Sequence, residues 1–348
     1  MQAYLAVLRA GRIGWLELTT LVGRLPIGIS GLALVLFLKE ETGSFAPGGA
    51  VAGGIAFGIG LGAPLMGRWV DRRGTGVLML LGTAHGAGLL ALIALGKAAA
   101  PTMALVAVAV LTGAAFPPSP SVLRARFPAL LRDRPELMQP AYALDSVLLE
   151  LSFVTAPVIV AIVVALFDPA TALVVAAVAG VAGTAAFLAL LPADSAPPRI
   201  DGPRDWLGPL RSEAIRALVV TMVPIGFGIG AIEVSLPAFS EEEGHRELAG
   251  ILLATWSIGS AFGGFLYGVR PRTEPVNRAH LRFALLLPLS LLPALLAPSM
   301  VAMALLIVPA GLFIAPLIAT RNELASQLAP PGTATEALTW PLTALVSG

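Results

Sequence analysis

Long apolar runs, separated by short polar segments, dominate the chain. A helix needs about 20 residues to cross a hydrocarbon core of about 30 Å, so each run of that size is a candidate membrane span. We number ten such runs as spans one to ten: 14–38, 46–66, 77–96, 101–122, 140–167, 169–191, 216–239, 247–268, 281–297 and 299–319. A further apolar run begins near 336, which predicts the start of an eleventh span. The pattern predicts an all-α polytopic membrane protein.

The composition agrees with a membrane protein and excludes several other classes. The 348 residues are 57% hydrophobic and 12% charged, whereas a soluble domain usually carries about 25% charged residues. A formal net charge of +1 argues against a nucleic-acid-binding surface, so no nucleic acid is expected as a partner. The chain has no cysteine and only three scattered histidines, which gives neither a disulfide framework nor a metal motif. We therefore expect no resident cofactor.

Basic residues mark one side of the predicted topology, because short loops that carry Lys and Arg remain in the cytoplasm. With the N-terminus inside, the inner segments hold Arg9, Arg12, Arg68, Arg72, Arg73, Arg124, Arg126, Arg132, Arg134, Arg199, Arg204, Arg211, Arg216, Arg270, Arg272, Arg278, Arg282 and Arg321. The outer loops hold only Lys39, Lys97 and Arg246. This distribution predicts a cytoplasmic N-terminus. The preference for arginine over lysine and the richness in Ala and Gly are typical of GC-rich bacterial genomes, so the predicted location is the bacterial cytoplasmic membrane.

The polar segment 192–215 divides the chain and is rich in Pro, Asp and Arg. It predicts a cytoplasmic linker between an N-terminal six-helix bundle, 1–191, and a C-terminal bundle, 216–348. An internal repeat supports this division, because glycines recur at one constant spacing in the second span of each half. The pairs are Gly58 with Gly259, Gly62 with Gly263, and Gly67 with Gly268. Internal repeats are typical of transporter folds, although small residues also recur wherever helices pack closely in lipid.

The loop between spans two and three contains the pattern Gly67-x-x-x-Asp71-Arg72-x-Gly74. It resembles the motif that the major facilitator superfamily carries in the same loop, Gly-x-x-x-Asp-Arg/Lys-x-Gly-x-Arg/Lys-Arg/Lys. The final basic pair of that motif is absent here. The span pattern, the central linker, the repeat and this loop together extend the resemblance over the whole chain.

The resemblance implies a fold and a role for the loop. Members of that family have twelve spans in two six-helix bundles related by a pseudo-two-fold axis, so the second bundle is expected to be incomplete, with roughly ten and a half spans present. The loop is expected to act as a conformational switch, with Asp71 at the contact between the halves, near a helix N-terminus. Arg124, at the cytoplasmic end of span four, is its expected ion-pair partner. Arg68 and Arg73 are interpreted as topological anchors.

Span five is similar to a second motif of the family, which combines a proline with several glycines in drug/proton antiporters. Pro157 is kept and predicts a helix kink. Ser152, Ala156, Val160 and Ala161 replace the glycines. The resemblance to this branch is therefore partial.

Ionisable residues within spans are costly and are candidates for function. Arg24 in span one and Glu150 in span five lie at similar depths, which predicts an ion pair that is either structural or functional. Glu17 and Asp145 lie nearer the inner interface and are expected to be exposed to solvent at the cytoplasmic ends of their spans.

Glu233 lies past the middle of span seven, and that span contains no cation. In the family that the chain resembles, the corresponding helix lines the cavity, so Glu233 is a candidate proton carrier. Arg24, Asp145 and Glu150 complete the candidate pathway for protons and substrate. His85 lies among Gly and Ala in span three and is expected to pack there rather than relay protons.

The resemblance implies secondary transport by alternating access, and we expect efflux of a small amphipathic compound driven by the proton-motive force. Spans one, four, seven and ten are expected to line the cavity. Because spans four and ten contain no charged residue within their predicted bounds, the lining favours a lipophilic substrate. We expect a monomer in the lipid bilayer. An uptake symporter and a transport-dead scaffold or sensor are the alternatives, and no catalytic constellation points to an enzyme.

Overall fold

The computed structural model describes residues 2–192, 206–245 and 248–348, so most of the predicted linker 192–215 lies outside the described residues. The described chain contains fourteen α-helices. Their bounds are α1 Gln2–Arg9, α2 Ile13–Thr42, α3 Phe45–Arg73, α4 Val77–Lys97, α5 Thr102–Ala114, α6 Ser119–Leu130, α7 Met138–Leu166, α8 Pro169–Leu190, α9 Glu213–Glu242, α10 Ala249–Val269, α11 Val276–Leu291, α12 Met300–Gly311, α13 Ile314–Leu328 and α14 Ala334–Ser347. No strand occurs among the described residues.

Ten helical segments of the described chain are long and apolar enough to cross a membrane, which confirms the ten predicted spans. Two of the ten combine consecutive helices, α5 with α6 and α12 with α13. The break between α5 and α6 contains Pro117 and Pro118, and proline cannot donate the backbone hydrogen bond that a helix interior needs. Span four is therefore interrupted before it reaches the end that carries the arginines. Span ten is interrupted between Gly311 and Ile314.

Spans four and ten extend beyond their predicted bounds, to Thr102–Leu130 and Met300–Leu328. The extensions bring Arg124, Arg126 and Arg321 into the helical bundle, where all three are buried. The prediction that these spans contain no charged residue was therefore wrong. It failed because an apolar run stops before its first arginine, whereas arginine is a good helix former and the helix continues through it.

Side chains and glycine define several helix ends. The hydroxyl of Ser44 accepts a hydrogen bond from the backbone N–H of Ala46 at the start of α3. Asp168 does the same for Thr171 at the start of α8, and this hydrogen bond holds the pKa of the Asp168 carboxyl below its usual value. Gly43 ends α2 with a φ of 75°, a left-handed conformation that favours glycine.

The glycine repeat corresponds to repeated helix packing. A Cβ at Gly58 of α3 would collide with the Val110 carbonyl oxygen of α5, and a Cβ at Gly259 of α10 would collide with the Val308 carbonyl oxygen of α12. Gly62 and Gly263 make the equivalent close contacts one turn further along each helix. Close backbone approach of this kind is the usual reason for small residues between membrane helices. The matched contacts show that the two halves use the same packing.

This packing predicts a position-dependent cost for enlarging a glycine. Gly58→Val is expected to destabilise the protein by at least about 1–3 kcal/mol, because the side chain must displace the backbone of α5. Gly53→Val, on the same helix, meets open space and is the matched control. Thermal unfolding in detergent measures both variants, and equal midpoints would contradict the close contact.

We call the end of the bundle that carries Arg72, Arg132 and Arg270 the arginine-rich end. A buried apolar cluster that reaches this end includes residues of both halves there, such as Leu123 and Tyr267, and continues through the second half to Leu252. A second cluster fills the first half toward the opposite end, and its members all lie between residues 25 and 177. The described apolar core therefore joins the two halves at the arginine-rich end.

Candidate functional site

Asp71, in the last turn of α3, joins that helix to the start of α14. Its two carboxylate oxygens accept hydrogen bonds from the backbone N–H groups of Thr335 and Glu336, at 3.1 and 2.9 Å. These N–H groups belong to the first turn of α14, where the helix leaves its donors unpaired and its dipole favours a negative charge. Asp71 thereby caps a helix of the second half from the end of a helix in the first.

Arg68 reinforces the same contact between the halves. Its guanidinium binds the carboxylate of Glu336 in a bidentate manner, with Nε–Oε2 3.0 Å and Nη2–Oε1 2.6 Å. Trp340 donates its indole N–H to the same carboxylate. The interpretation of Arg68 as only a topological anchor was therefore incomplete. We call the set Arg68, Asp71 and Glu336 the α3–α14 latch.

The other residues of the loop motif have simpler surroundings. Gly67 lies directly against the backbone of Glu336, where a Cβ would be 3.1 Å from the Glu336 Cα. Gly74 ends α3 with a φ of 90°. Arg72 and Arg73 are exposed. The predicted ion pair between Asp71 and Arg124 was wrong, because Asp71 binds backbone N–H groups and Arg124 binds another carboxylate.

That carboxylate is Asp145 of α7, which lies at the centre of a buried ion-pair network. Arg124 Nε is 2.6 Å from one of its oxygens, and Arg24 Nη2 is 2.7 Å from the other. Asp145 and Arg24 have exposures of 0% and 1%, so both lie away from solvent. The predicted Arg24–Glu150 pair and the predicted wetted position of Asp145 were therefore both wrong.

Two further charged groups border this network. Glu17 has an exposure of only 1%, and neither of its carboxylate oxygens has a hydrogen-bond partner among the described residues. Arg321 of α13 is equally buried and brings a third guanidinium close to Arg124 and Asp145. Glu17 was expected to be wetted, and this expectation was wrong. One bound carboxylate, one unpaired carboxylate and three guanidinium groups thus meet where the halves approach each other.

Glu150 lies at mid-depth of the contact between the halves. One of its carboxylate oxygens accepts a hydrogen bond of 2.9 Å from the hydroxyl of Ser260 on α10. Glu233 of α9 is exposed and lies near enough to Glu150 for the two carboxylates to repel each other. No ion pair among the described residues includes either glutamate. The two carboxylates belong to opposite halves, and their helices α7 and α9 both pack against α10.

A second polar contact joins the halves between the start of α7 and the end of α10. The Gln139 side-chain amide donates to the Tyr267 and Arg270 carbonyls, and its oxygen accepts from the Arg272 backbone N–H. The Arg272 guanidinium binds both oxygens of Glu323 on α13, at 2.7 and 2.8 Å. These bonds raise the pKa of Arg272, so this residue remains charged.

The N-terminal helix contributes to the second contact. The Tyr4 hydroxyl donates to the Gly264 carbonyl at 2.8 Å, and its ring stacks on Phe265. A Cβ at Gly268 would collide with the Tyr4 ring, so the absence of a side chain at Gly268 allows α1 to pack against α10. No local pattern in the sequence indicates the roles of Tyr4, Gln139 and Ser260, because these roles depend on helices that are distant in the sequence.

The two other residues singled out in the sequence lie outside these contacts. His85 shares a hydrogen bond of 2.8 Å with the Thr112 carbonyl and packs edge-on against Phe116, as a packed helix residue does. Pro157 is exposed within α7, which continues through it. Among the described residues, no group of three or more His, Asp or Glu side chains could hold a metal ion.

Comparisons with known proteins agree with this architecture. The profile of the Major Facilitator Superfamily matches residues 16–344. No curated protein matches the chain.

Three solved structures illustrate the similarity of fold. A bacterial homologue of the iron transporter ferroportin, in an outward-facing state, has a TM-score of 0.76 at 14% identity over 96% of this chain and 89% of that one. The human organic anion transporter MFSD10 has a TM-score of 0.68 at 15% identity over 95% and 90%. A point mutant of the nucleoside transporter NupG has a TM-score of 0.55 at 13% identity over 95% and 88%. At these identities the similarity concerns the fold alone.

The ten spans, the repeated packing of the halves and the profile match over nearly the whole chain point to a membrane transporter and not to an enzyme. The chain belongs to the major facilitator superfamily.

Proposed function

We propose that the protein is a proton-coupled efflux transporter that moves a small amphipathic compound across the bacterial cytoplasmic membrane by alternating access. In this proposal the two halves rock about a central cavity, and the N-terminus lies in the cytoplasm. The proposal follows the partial resemblance of span five to drug/proton antiporters. A monomer suffices, because both halves of the cavity belong to one chain.

The distribution of contacts supports alternating access. Two sets of polar contacts hold the halves together at the arginine-rich end, the α3–α14 latch and the contact around Gln139. The described apolar core of the first half toward the opposite end has no members from the second half. This arrangement is the one expected of a transporter closed toward the cytoplasm, if the arginine-rich end is cytoplasmic.

The pair formed by Glu150 and Glu233 is the observation that carries the proton-coupling part of the proposal. The two carboxylates come from opposite halves, repel each other when both are charged, and have no cationic partner in the described ion pairs. A proton bound at this pair would remove the repulsion. Occupancy by a proton would therefore change the energy of bringing the halves together, which is the requirement for coupling.

The proposed substrate class depends on which buried arginines already have a carboxylate partner. The titles of the similar structures name iron, organic anions and nucleosides, a range too diverse to select one substrate. Arg24 and Arg124 are occupied by Asp145, so neither guanidinium is available to a highly polar solute. We therefore propose an amphipathic compound whose apolar part makes most of the contacts.

Proton coupling is tested in inverted membrane vesicles that contain the protein and a quenched pH dye. Adding ethidium as an amphipathic probe is expected to release protons, and Glu233→Gln is expected to reduce this release by at least about tenfold, because the glutamine cannot carry a proton. Glu242→Gln, at the exposed end of the same helix, is the matched control and is expected to behave as the native protein does.

Three outcomes would count against the proposal. Full coupling by Glu233→Gln would remove the proton role of this residue. Proton uptake with the probe, in place of release, would indicate symport. Ethidium transport without any proton movement would exclude proton coupling altogether.

A further inference from the structure

A cavity of about 380 Å³ lies in the second half at the arginine-rich end. It is bordered by the end of α10, the following loop, the middle of α11 and the junction of α12 with α13. Gln139 of the first half also borders it. This volume falls within the range of about 300–1,000 Å³ that is usual for small-molecule sites.

The cavity has a basic rim. Arg270, Arg272 and Arg282 line it, together with the carboxylate of Glu274. Glu323 neutralises Arg272, and Arg282 lies 2.8 Å from Glu274. Arg270 is exposed and has no ion-pair partner among the described residues. The rim therefore keeps one positive charge in excess, and the Arg282 side chain is still 53% exposed.

The cavity also has an apolar wall. Leu266, Phe283, Leu312 and Phe313 line it, and these residues belong to segments long and apolar enough to cross the membrane. A solvated phosphate ion would use the rim and leave this apolar wall bare. A molecule with a singly charged anionic head and a hydrocarbon tail would satisfy both parts.

We propose that this cavity binds an anionic phospholipid of the phosphatidylglycerol class, with its phosphate at Arg270 and Arg282 and its glycerol and first methylenes against Phe283. The single negative charge of the phosphate matches the excess charge of the rim. Basic pockets between membrane helices on the cytoplasmic side are suited to such headgroups. None of Arg24, Asp145, Glu150 and Glu233 lines the cavity, so lipid binding there does not depend on the identity of the substrate.

The location of Gln139 links this site to the conformation of the protein. The Gln139 side chain belongs to the first half, and it holds the Arg270 carbonyl and the Arg272 backbone N–H of the loop that forms the rim. The first half therefore borders the cavity through Gln139 and holds the loop of its rim in place. A lipid that binds this cavity favours the closed arginine-rich end.

The test measures binding of dioleoyl-phosphatidylglycerol to the full chain in detergent by native mass spectrometry and by thermal stabilisation. Arg270→Ala combined with Arg282→Ala is expected to weaken binding roughly thirtyfold, the change that follows from losing two arginines at an anionic headgroup. Arg132→Ala combined with Arg134→Ala removes the same charge from exposed positions at the same end and is the matched control. Dioleoyl-phosphatidylcholine and inorganic phosphate complete the comparison.

Selective retention of phosphatidylglycerol by the native protein and by the control, with its loss in the cavity variant, would support the site. Equal weakening in both double variants would indicate a general effect of surface charge and overturn it. Equal stabilisation by inorganic phosphate would assign the rim to a small anion instead of a lipid. Gln139→Ala keeps both arginines, and an unchanged lipid affinity in this variant would overturn the link to closure.

Discussion

Replacing Asp145 with asparagine is expected to be among the most damaging single substitutions in the protein. The carboxylate is fully buried and is bound by Arg24 through one oxygen and by Arg124 through the other. Asparagine would leave two buried guanidinium groups without their shared counter-charge. Removing one partner from a buried ionic group costs about 3–5 kcal/mol, a large share of a total stability of about 5–15 kcal/mol.

Thermal unfolding in detergent, followed by size-exclusion chromatography, measures this effect. Asp168→Asn makes the same chemical change at the exposed start of α8, where asparagine caps a helix about as well as aspartate, so its midpoint is expected to be unchanged. Arg124→Gln combined with Asp145→Asn removes one charge of each sign and is expected to recover part of the loss. An Asp145→Asn protein as stable as the native one would show that the network is not needed for the fold.

The contrast between Asp145 and Glu150 shows which properties the sequence can and cannot specify. The apolar run of span five shows how deep each residue lies in the membrane. Both could therefore be chosen from the sequence as candidate functional residues. Their partners depend on the rotation of α7 about its axis and on which helix faces it. A difference of five positions turns the side chain by more than a quarter turn, so Asp145 meets α2 and α6 while Glu150 meets α10.

The lengths of the membrane helices could also be predicted only in part. The ten spans could be predicted because about 20 apolar residues in a row have few other uses in a protein. The arginines at 124 and 321 ended the predicted runs, although both helices continue past them. Arg124 is bound by a carboxylate from another helix and Arg321 by the side chain of Asn322, and the apolar run reveals neither partner.

The contact of Asp71 with a helix N-terminus was expected from the resemblance of the loop motif and not from local sequence, because its partners are 264 and 265 positions away. Asp71 needs a free helix N-terminus, and the turn before the last apolar run supplies one at Thr335 and Glu336. Arg124 has the right charge for an ion pair with Asp71, but its geometry is fixed by Asp145 in the neighbouring helix. Charge complementarity alone therefore selected a partner that the packing excludes.

The α3–α14 latch joins the two halves, whereas the Asp145 network lies within the first half, and the two differ in accessibility, which suggests an order of events during opening. The α3–α14 latch includes Arg68, whose side chain is 22% exposed, whereas the Asp145 network is closed to solvent. Water can reach the latch first and replace its hydrogen bonds at modest cost. We therefore expect the latch to control the population of the closed state and the buried network to maintain the first half in both states.

Asp71→Ala is accordingly expected to shift the protein away from its closed state without unfolding it. The substitution removes two charge-assisted hydrogen bonds to the first turn of α14. A loss of about 2 kcal/mol between the two states would raise the population of the opened arginine-rich end roughly thirtyfold, provided that the closed state dominates at first.

The absence of cysteine from the chain makes this shift directly measurable. Thr339→Cys places a single thiol at a buried position of α14 near Gly67, and its reaction with a water-soluble maleimide reports opening of the arginine-rich end. Asp71→Ala in this background is expected to accelerate labelling by at least about tenfold. Arg73→Ala, two residues away and exposed, is the matched control and is expected to leave the rate unchanged.

A second reporter distinguishes opening from unfolding. Val51→Cys places the thiol in the buried core of the first half, distant from the latch. Opening would accelerate labelling at position 339 and leave position 51 protected, because rocking of the halves preserves the packing within each half. Parallel acceleration at both positions would mean that Asp71 stabilises the fold instead of the closed state, and an unchanged rate at position 339 would remove the latch from the mechanism.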